Sequence, residues 1–261
     1  MGSALVGAAR NPAAMTATQR TTDTLVIAVV LLAIWQGLHL IVGDTALPGP
    51  AATLYYMVHF LPSARFFENA AATFVSFTYA LVIAYGLGLS IGVWLGAHRL
   101  SGAVGEPLLV ALYSVPKITL YPVILLIFGL GISGKVAFGA LHGILPVALL
   151  TMSAIRNIPP VYLKVAQTLH LTKRQTVVTV LLPATLPEVV AGLRIGLTVT
   201  LLGVLLAEMF ASKRGLGFLI INAQSLLQSE EMVSVAIVLF VFAALTNSLL
   251  LWMEHRLHHR A

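Results

Sequence analysis

The chain has 261 residues, 59% of them hydrophobic and 9% charged, whereas about a quarter of a soluble domain is charged; this composition belongs to an integral membrane protein. Fifteen Lys and Arg against nine Asp and Glu give a formal charge of +6, a basic excess that suggests nucleic acid only until its placement along the chain is read. There is no cysteine, which excludes disulfides, thiolate metal sites and cysteine nucleophiles.

Residues 1–23, rich in Ala, Thr and small polar residues, read as a mobile tail ahead of a membrane domain that fills 24–261. A hydrocarbon core of about 30 Å asks for about 20 apolar residues per helix. Six stretches meet that demand: 24–43, 70–97, 104–129, 135–155, 185–211 and 232–253. The first is longer than a signal-peptide core and no cleavage site follows it, so it reads as a retained anchor. In the second, Gly88, Gly92 and Gly96 recur every four residues and bare one helix face for close packing against another helix.

The third stretch carries Lys117 near its middle, where insertion of a lysine costs about 2.5–3.5 kcal/mol. Pro116 and Pro122 interrupt the backbone around it, a break tolerated where the chain lines a cavity or packs on protein. Lys117 is therefore a candidate for the solute pathway, supplying positive potential for an anion; the alternative is a structural lysine bonded to carbonyls that the prolines free. Between the third and fourth stretches, Gly129 to Val136 nearly spells a phosphate-binding loop, but Val136 stands where that loop needs a hydroxyl for magnesium. A Gly-rich hairpin is the better reading.

Between Arg156 and Arg194 the apolar run gives way to a basic, polar stretch that reads as two short helices. Pro159 and Pro160 suit a first helical turn, and Val161, Tyr162, Val165, Ala166 and Leu169 then share a face opposite Lys164, Gln167 and Thr168. Thr172 followed by Gln175 matches a capping box, which starts a second helix expected to end near Leu182, before Pro183. The alternative on pattern alone is an ordinary amphipathic loop on the membrane surface; a helix-turn-helix for DNA is disfavoured because apolar spans on both sides hold the unit at a membrane.

In the fifth stretch Arg194 reads as an interfacial anchor. Glu208, near the opposite end, is a second candidate for the solute pathway, acting in a gate or paired with a neighbouring span; the alternative is a structural hydrogen bond. His255, His258 and His259 cluster at the C-terminus with only Glu254 beside them, and read as a basic tail against anionic lipid rather than a metal site. Nine Lys and Arg lie in one set of connections, including the two-helix unit and both termini, against Arg65, Lys135, Lys213 and Arg214 in the other. That bias places both termini and the unit in the cytoplasm.

The unit resembles the cytoplasmic coupling loop of ABC importer permeases, whose pattern is Glu-Ala-Ala, three residues, Gly, nine residues, then Ile-x-Leu-Pro. With Leu182 and Pro183 on its Leu-Pro, Ala166 falls on the second Ala and Val180 on the Ile. Lys164, Val165 and His170 stand where Glu, Ala and Gly are usual; His is among the residues enriched at positive φ, so it suits a turn. SVPKITLYPVILLIFGLG, from Ser114 to Gly131, is similar to the third span of the nitrate, sulfonate and taurine branch, and AEMFASKRGLGFLI, from Ala207 to Ile220, to that branch's segment after the fifth span.

The resemblance implies an all-α, six-span type I importer permease in a bacterial inner membrane, with the two-helix loop between spans four and five. It implies a homodimer, cytoplasmic ATPase subunits docked on the loop, and an extracytoplasmic binding protein that delivers substrate. ATP and magnesium would be bound by the ATPase, and this chain would hold no cofactor and no nucleic acid. Val161, Lys164, Val165, Ala166, Leu169, His170, Leu182 and Pro183 are the implied coupling residues, with the face of Ala166 and Leu169 set into a groove of the ATPase. An ion-gradient-driven carrier is the alternative class; it usually shows paired interrupted helices in matching halves, and none are evident here.

Overall fold

The computed structural model describes the backbone of residues 17–258 and the side chains of 21–252. The first helix, α1 (Ala17–Val42), starts seven residues before the expected span, and the rest of the expected tail lies outside the described residues. Gly43, at φ +80°, ends α1 with its amide on the His39 carbonyl. The side chains of α1 reach the following loop near its C-terminal end, where Trp35 Nε1 donates to the Pro48 carbonyl and His39 Nδ1 lies 2.8 Å from the Leu47 carbonyl oxygen, and the apolar surface from Leu25 to Val42 is largely exposed.

Helix α2 (Pro50–Phe60), which apolar length alone does not reveal, is too short to cross a membrane and packs on the last helix. Pro50 occupies its first turn, where a missing N–H costs nothing. The second span, α3 (Ala64–Ala97), begins with Ser63 Oγ capping the Phe66 amide and runs 34 residues, about 51 Å at 1.5 Å per residue.

The third expected span is not one straight helix. It consists of α4 (Arg99–Ser114), a 3-10 turn (Lys117–Leu120) and α5 (Tyr121–Phe128), with an 87° bend between the two halves. Pro116 supplies the reason: it drives Val115 into the extended region (φ −66°, ψ 132°) and offers no N–H to continue the ladder. Gly129 and Gly131, both at positive φ, then turn the chain into α6 (Ile132–Arg156).

Helix α6 is the centre of the molecule, buried between α3 and α9. Gly88, Gly92 and Gly96 face Val147, Thr151 and Ile155 of α6, so the neighbour of the glycine stripe is in the same chain. At Gly92 an added Cβ would sit 2.6 Å from Thr151 Cβ and 2.7 Å from the Ala148 carbonyl oxygen. A second contact of the same kind, Gly139 and Gly143 of α6 against Thr200 and Val204, joins α6 to α9.

After α6 come α7 (Pro160–Thr168) and α8 (Lys173–Gln175), and here the structure departs from expectation again. The second helix of the unit does not stop at Pro183: α8 passes through a π-helical stretch (Thr176–Leu181) into α9 (Leu182–Ala211), making one rod from Lys173 to Ala211. Pro183 would clash with the preceding turn of an ordinary α-helix; the wider π turn before it absorbs that mismatch. The short apolar helix α10 (Leu216–Ser225) follows, and α11 (Ser229–His258) closes the bundle against α2, α9 and α10. The side chains of His255, His258 and His259 lie outside the described residues.

Candidate functional site

The turn of the two-helix unit is capped as its sequence suggested. Both halves of the capping box are present: the Thr172 amide donates to Gln175 Oε1 at 2.9 Å, and the Gln175 amide to Thr172 Oγ1 at 3.4 Å. The end of α7 is closed by a Schellman motif, in which the Leu171 amide reaches the Ala166 carbonyl and the His170 amide the Gln167 carbonyl, both at 3.0 Å. His170 holds φ +50° in the position that glycine usually takes.

The structure separates two residues that helical spacing had put together. Leu169 is 64% exposed, while Ala166 is 2% exposed and turned into its own chain. Leu169 is the cap of α7, past the last helical turn, so the 3.6-residue period no longer fixes its direction. The outward surface of the unit comprises Val161, Lys164 and Leu169, with Leu182 and Pro183 also exposed and His170 at the turn. Between the unit and the spans lies a cleft of about 920 Å³, lined by Tyr162, Val165, Val180, Pro183, Pro187 and Glu188 among others.

Lys117 sits at the bend of the broken span rather than in the middle of a straight helix. Its Nζ donates to the Tyr113 carbonyl at 3.0 Å and stands 4.7 Å from the Tyr113 ring centroid. The lysine thus satisfies a carbonyl that the break frees from the ladder, and its ammonium keeps further donors. The residues around it are open: Tyr113 is 42% and Val115 40% exposed, although they lie at a break in a membrane-spanning segment.

Glu208 is fully buried, in a hub at the end of the bundle opposite the two-helix unit. Its Oε2 accepts from Thr73 Oγ1 at 2.8 Å and from the Gly217 amide at 3.1 Å, and Oε1 lies 3.4 Å from Lys135 Nζ. Lys135 also donates to the Arg214 carbonyl at 2.7 Å. Asn69 Oδ1 and Thr73 Oγ1 of α3 accept from the Gly215 and Leu216 amides at 2.8 and 2.7 Å. The turn needs glycine: at Gly215, with φ +125°, a Cβ would fall 2.1 Å from the Glu208 carboxyl carbon. Lys135 is the lysine of the near phosphate-binding loop, and its commitment to Glu208 and Arg214 leaves that motif no phosphate role. It also borders a second cleft of about 920 Å³ shared with Glu68, Lys213 and Arg214.

Sequence reasoning missed a second buried acid. Glu231 is 1% exposed, paired with Arg65 at 2.8 Å and accepting from the Tyr56 hydroxyl at 3.0 Å. Burial and the neighbouring Glu231 push the Tyr56 hydroxyl up to about 12, so it stays a donor. Only the apolar run that begins at once after Glu231 signalled the burial.

Residues 84–261 match the family described as binding-protein-dependent transport system inner membrane component. The chain belongs to that family. This inner membrane component is 29% identical, over 89% of its length and 85% of the relative's, to the Bacillus subtilis (strain 168) permease protein named SsuC for aliphatic sulfonates transport. It is 28% identical to the taurine transport system permease protein TauC of Escherichia coli (strain K12), over 74% of this chain and 70% of TauC. Against the nitrate import permease protein NrtB of Synechococcus elongatus the identity is 28%, over 74% and 73%. Its fold is that of the MetNI methionine ABC transporter in inward-facing conformations, with TM-score 0.59, 22% identity, and 78% of this chain and 97% of that one covered. An amino acid ABC transporter structure gives TM-score 0.62 at 20% identity, covering 77% and 97%.

Proposed function

We propose that this permease is the membrane-spanning subunit of an ATP-driven importer for a small anion, of the sulfonate, taurine or nitrate kind named in its relatives. The observation that carries the reading is the two-helix unit fused through a continuous helix to α9, within a chain of this family. A surface helix pair held that way delivers a partner's movement into the bundle, because packed helices shift as units. Val161, Lys164 and Leu169 form the contact with the ATPase, His170, Leu182 and Pro183 shape the unit, Val165 borders the cleft beneath it, and the buried Ala166 supports it from inside. ATP and magnesium belong to that ATPase.

The chain works as a homodimer with both termini and the two-helix unit in the cytoplasm, and receives solute from an extracytoplasmic binding protein. The broken span supports a second copy: irregular backbone at membrane depth is stable where protein or a water-filled cavity covers it, and the surface around Tyr113 and Val115 is open in the single chain. That surface, with Lys117 at its bend, faces the solute path at the seam between copies, and the Lys117 ammonium supplies the charge that favours an anion.

Uptake in proteoliposomes tests the reading. Taurine or nitrate accumulation is expected only with ATP, the ATPase and the binding protein all present. Accumulation driven by an ion gradient without them would overturn it in favour of a secondary carrier.

A further inference from the structure

Glu208, Lys135, Thr73 and Asn69 do more than fill a buried site. Five hydrogen bonds at 3.1 Å or less, with the Lys135–Glu208 pair, tie α3, α6 and the α9–α10 turn together at one end of the bundle. The Tyr121 hydroxyl adds α5 by donating to the Ala207 carbonyl at 2.8 Å. The other end of α9 is constructed differently. It holds the π-helical stretch, Pro183 and Pro187, and borders the cleft beneath the two-helix unit. There the hydroxyls of Thr176, Thr179 and Thr185 bond back to carbonyls of their own helix rather than to a neighbour. One end of the same rod is locked to three elements, and the other contains the helical irregularities at which rods bend.

We infer that Glu208 and Lys135 are positioning residues of the transport cycle: their hub keeps the outer ends of α3, α6 and α9 moving as one body, so that displacement of the two-helix unit is taken up at the π-helical stretch. Stability alone gives little reason to keep such a pair, since a buried ion pair replaced by apolar groups of similar volume is often neutral or better. A lock gives one, because its bonds are directional and hold three helices in a single register. The turn glycines fit the same purpose, since Gly215 and Gly217 admit the carboxylate against backbone amides.

The inference rests on the two-helix unit being the driven element, and the test separates the two. The chain has no cysteine, so spin labels go where they are placed. One pair, Phe67→Cys with Phe210→Cys, reports the hub end, and another, Trp94→Cys with Val178→Cys, reports the opposite end; all four positions are exposed. Distances are measured by pulsed EPR in nanodiscs on the complex with its ATPase, diluted with unlabelled chain, without nucleotide and with Mg-ATP and vanadate. The Trp94/Val178 distance is expected to change with nucleotide while the Phe67/Phe210 distance stays narrow and fixed. An unmoved Trp94/Val178 pair would strike the driven-loop reading; a Phe67/Phe210 pair that changes in the unmodified hub would overturn this inference.

The double variant Glu208→Gln with Lys135→Met removes both charges together. It is expected to assemble, to hydrolyse ATP, to show a broadened, nucleotide-sensitive Phe67/Phe210 distance, and to import taurine at least about tenfold less per ATP. A purely structural pair predicts the opposite: an assembled double variant with unchanged distance and import within twofold, which overturns the inference. Should that variant not assemble, Thr73→Val removes the hydroxyl at nearly constant volume. A broadened Phe67/Phe210 distance in it supports the lock, and an unchanged one overturns it.

Discussion

Leu169→Ala isolates the outward contact of the two-helix unit. The side chain is 64% exposed in the chain alone, and full burial of a leucine is worth about 1.5–3 kcal/mol. A partner that covers what is open gains about two-thirds of that, about 1–2 kcal/mol, and its removal raises Kd by about 5- to 30-fold. The assay is titration of the purified permease with its ATPase, read by calorimetry or biolayer interferometry. Leu130→Ala is the control: that leucine is 78% exposed at the opposite end and lines the cleft beside Lys135, so its loss leaves ATPase affinity unchanged. Affinity within twofold of the parent for Leu169→Ala, or an equal loss for Leu130→Ala, refutes the placement. Ala166→Asp is a different perturbation, since it forces a carboxylate into a buried site and disrupts the unit itself before any partner arrives.

Three further outcomes follow from local geometry. Gly92→Val drives a side chain into Thr151 and the Ala148 carbonyl, so overpacking of about 1–3 kcal/mol lowers the thermal midpoint, whereas Gly86→Ala, with nothing within 4 Å, leaves it in place. His170→Gly relieves a left-handed residue and His170→Val worsens it by about 1–2 kcal/mol; exchange of the Leu171 amide, which closes the turn, slows in the first and quickens in the second. Lys117→Gln lowers taurine or nitrate uptake while ATPase assembly is retained, and unchanged uptake in an assembled complex removes Lys117 from the solute path.

The long spans were legible because about 20 apolar residues in a row have few other uses. The capping box at Thr172 and Gln175 and the turn at His170 were legible because both are local, set by a side chain and the few amides around it. What escaped depended on partners distant in sequence or on backbone strain. Lys135 looked like a loop charge because its partner lies 73 residues away, and nothing beside Glu231 in the sequence marks its pairing, because Arg65 lies 166 residues away. Pro116 was seen to interrupt the third span, but an 87° bend requires knowing that Tyr121 and Ile124 pack on α6 and α9 in another direction. Pro183 was read as a helix stop because the π-helical alternative leaves no mark in hydrophobic spacing. Ala166 was aligned with Leu169 by a period that α7 does not sustain through its cap.

If the segment from 157 to 183 stands in the cytoplasm against an ATPase, its exposed residues are reachable from one side of the membrane only. Gln167→Cys puts one thiol on its exposed surface in a chain otherwise free of cysteine. A membrane-impermeant maleimide applied to right-side-out and inside-out vesicles is expected to label it only in the inside-out preparation, with labelling suppressed when the ATPase is bound. Labelling from the outer face, or in neither preparation until the membrane is dissolved, would contradict the account.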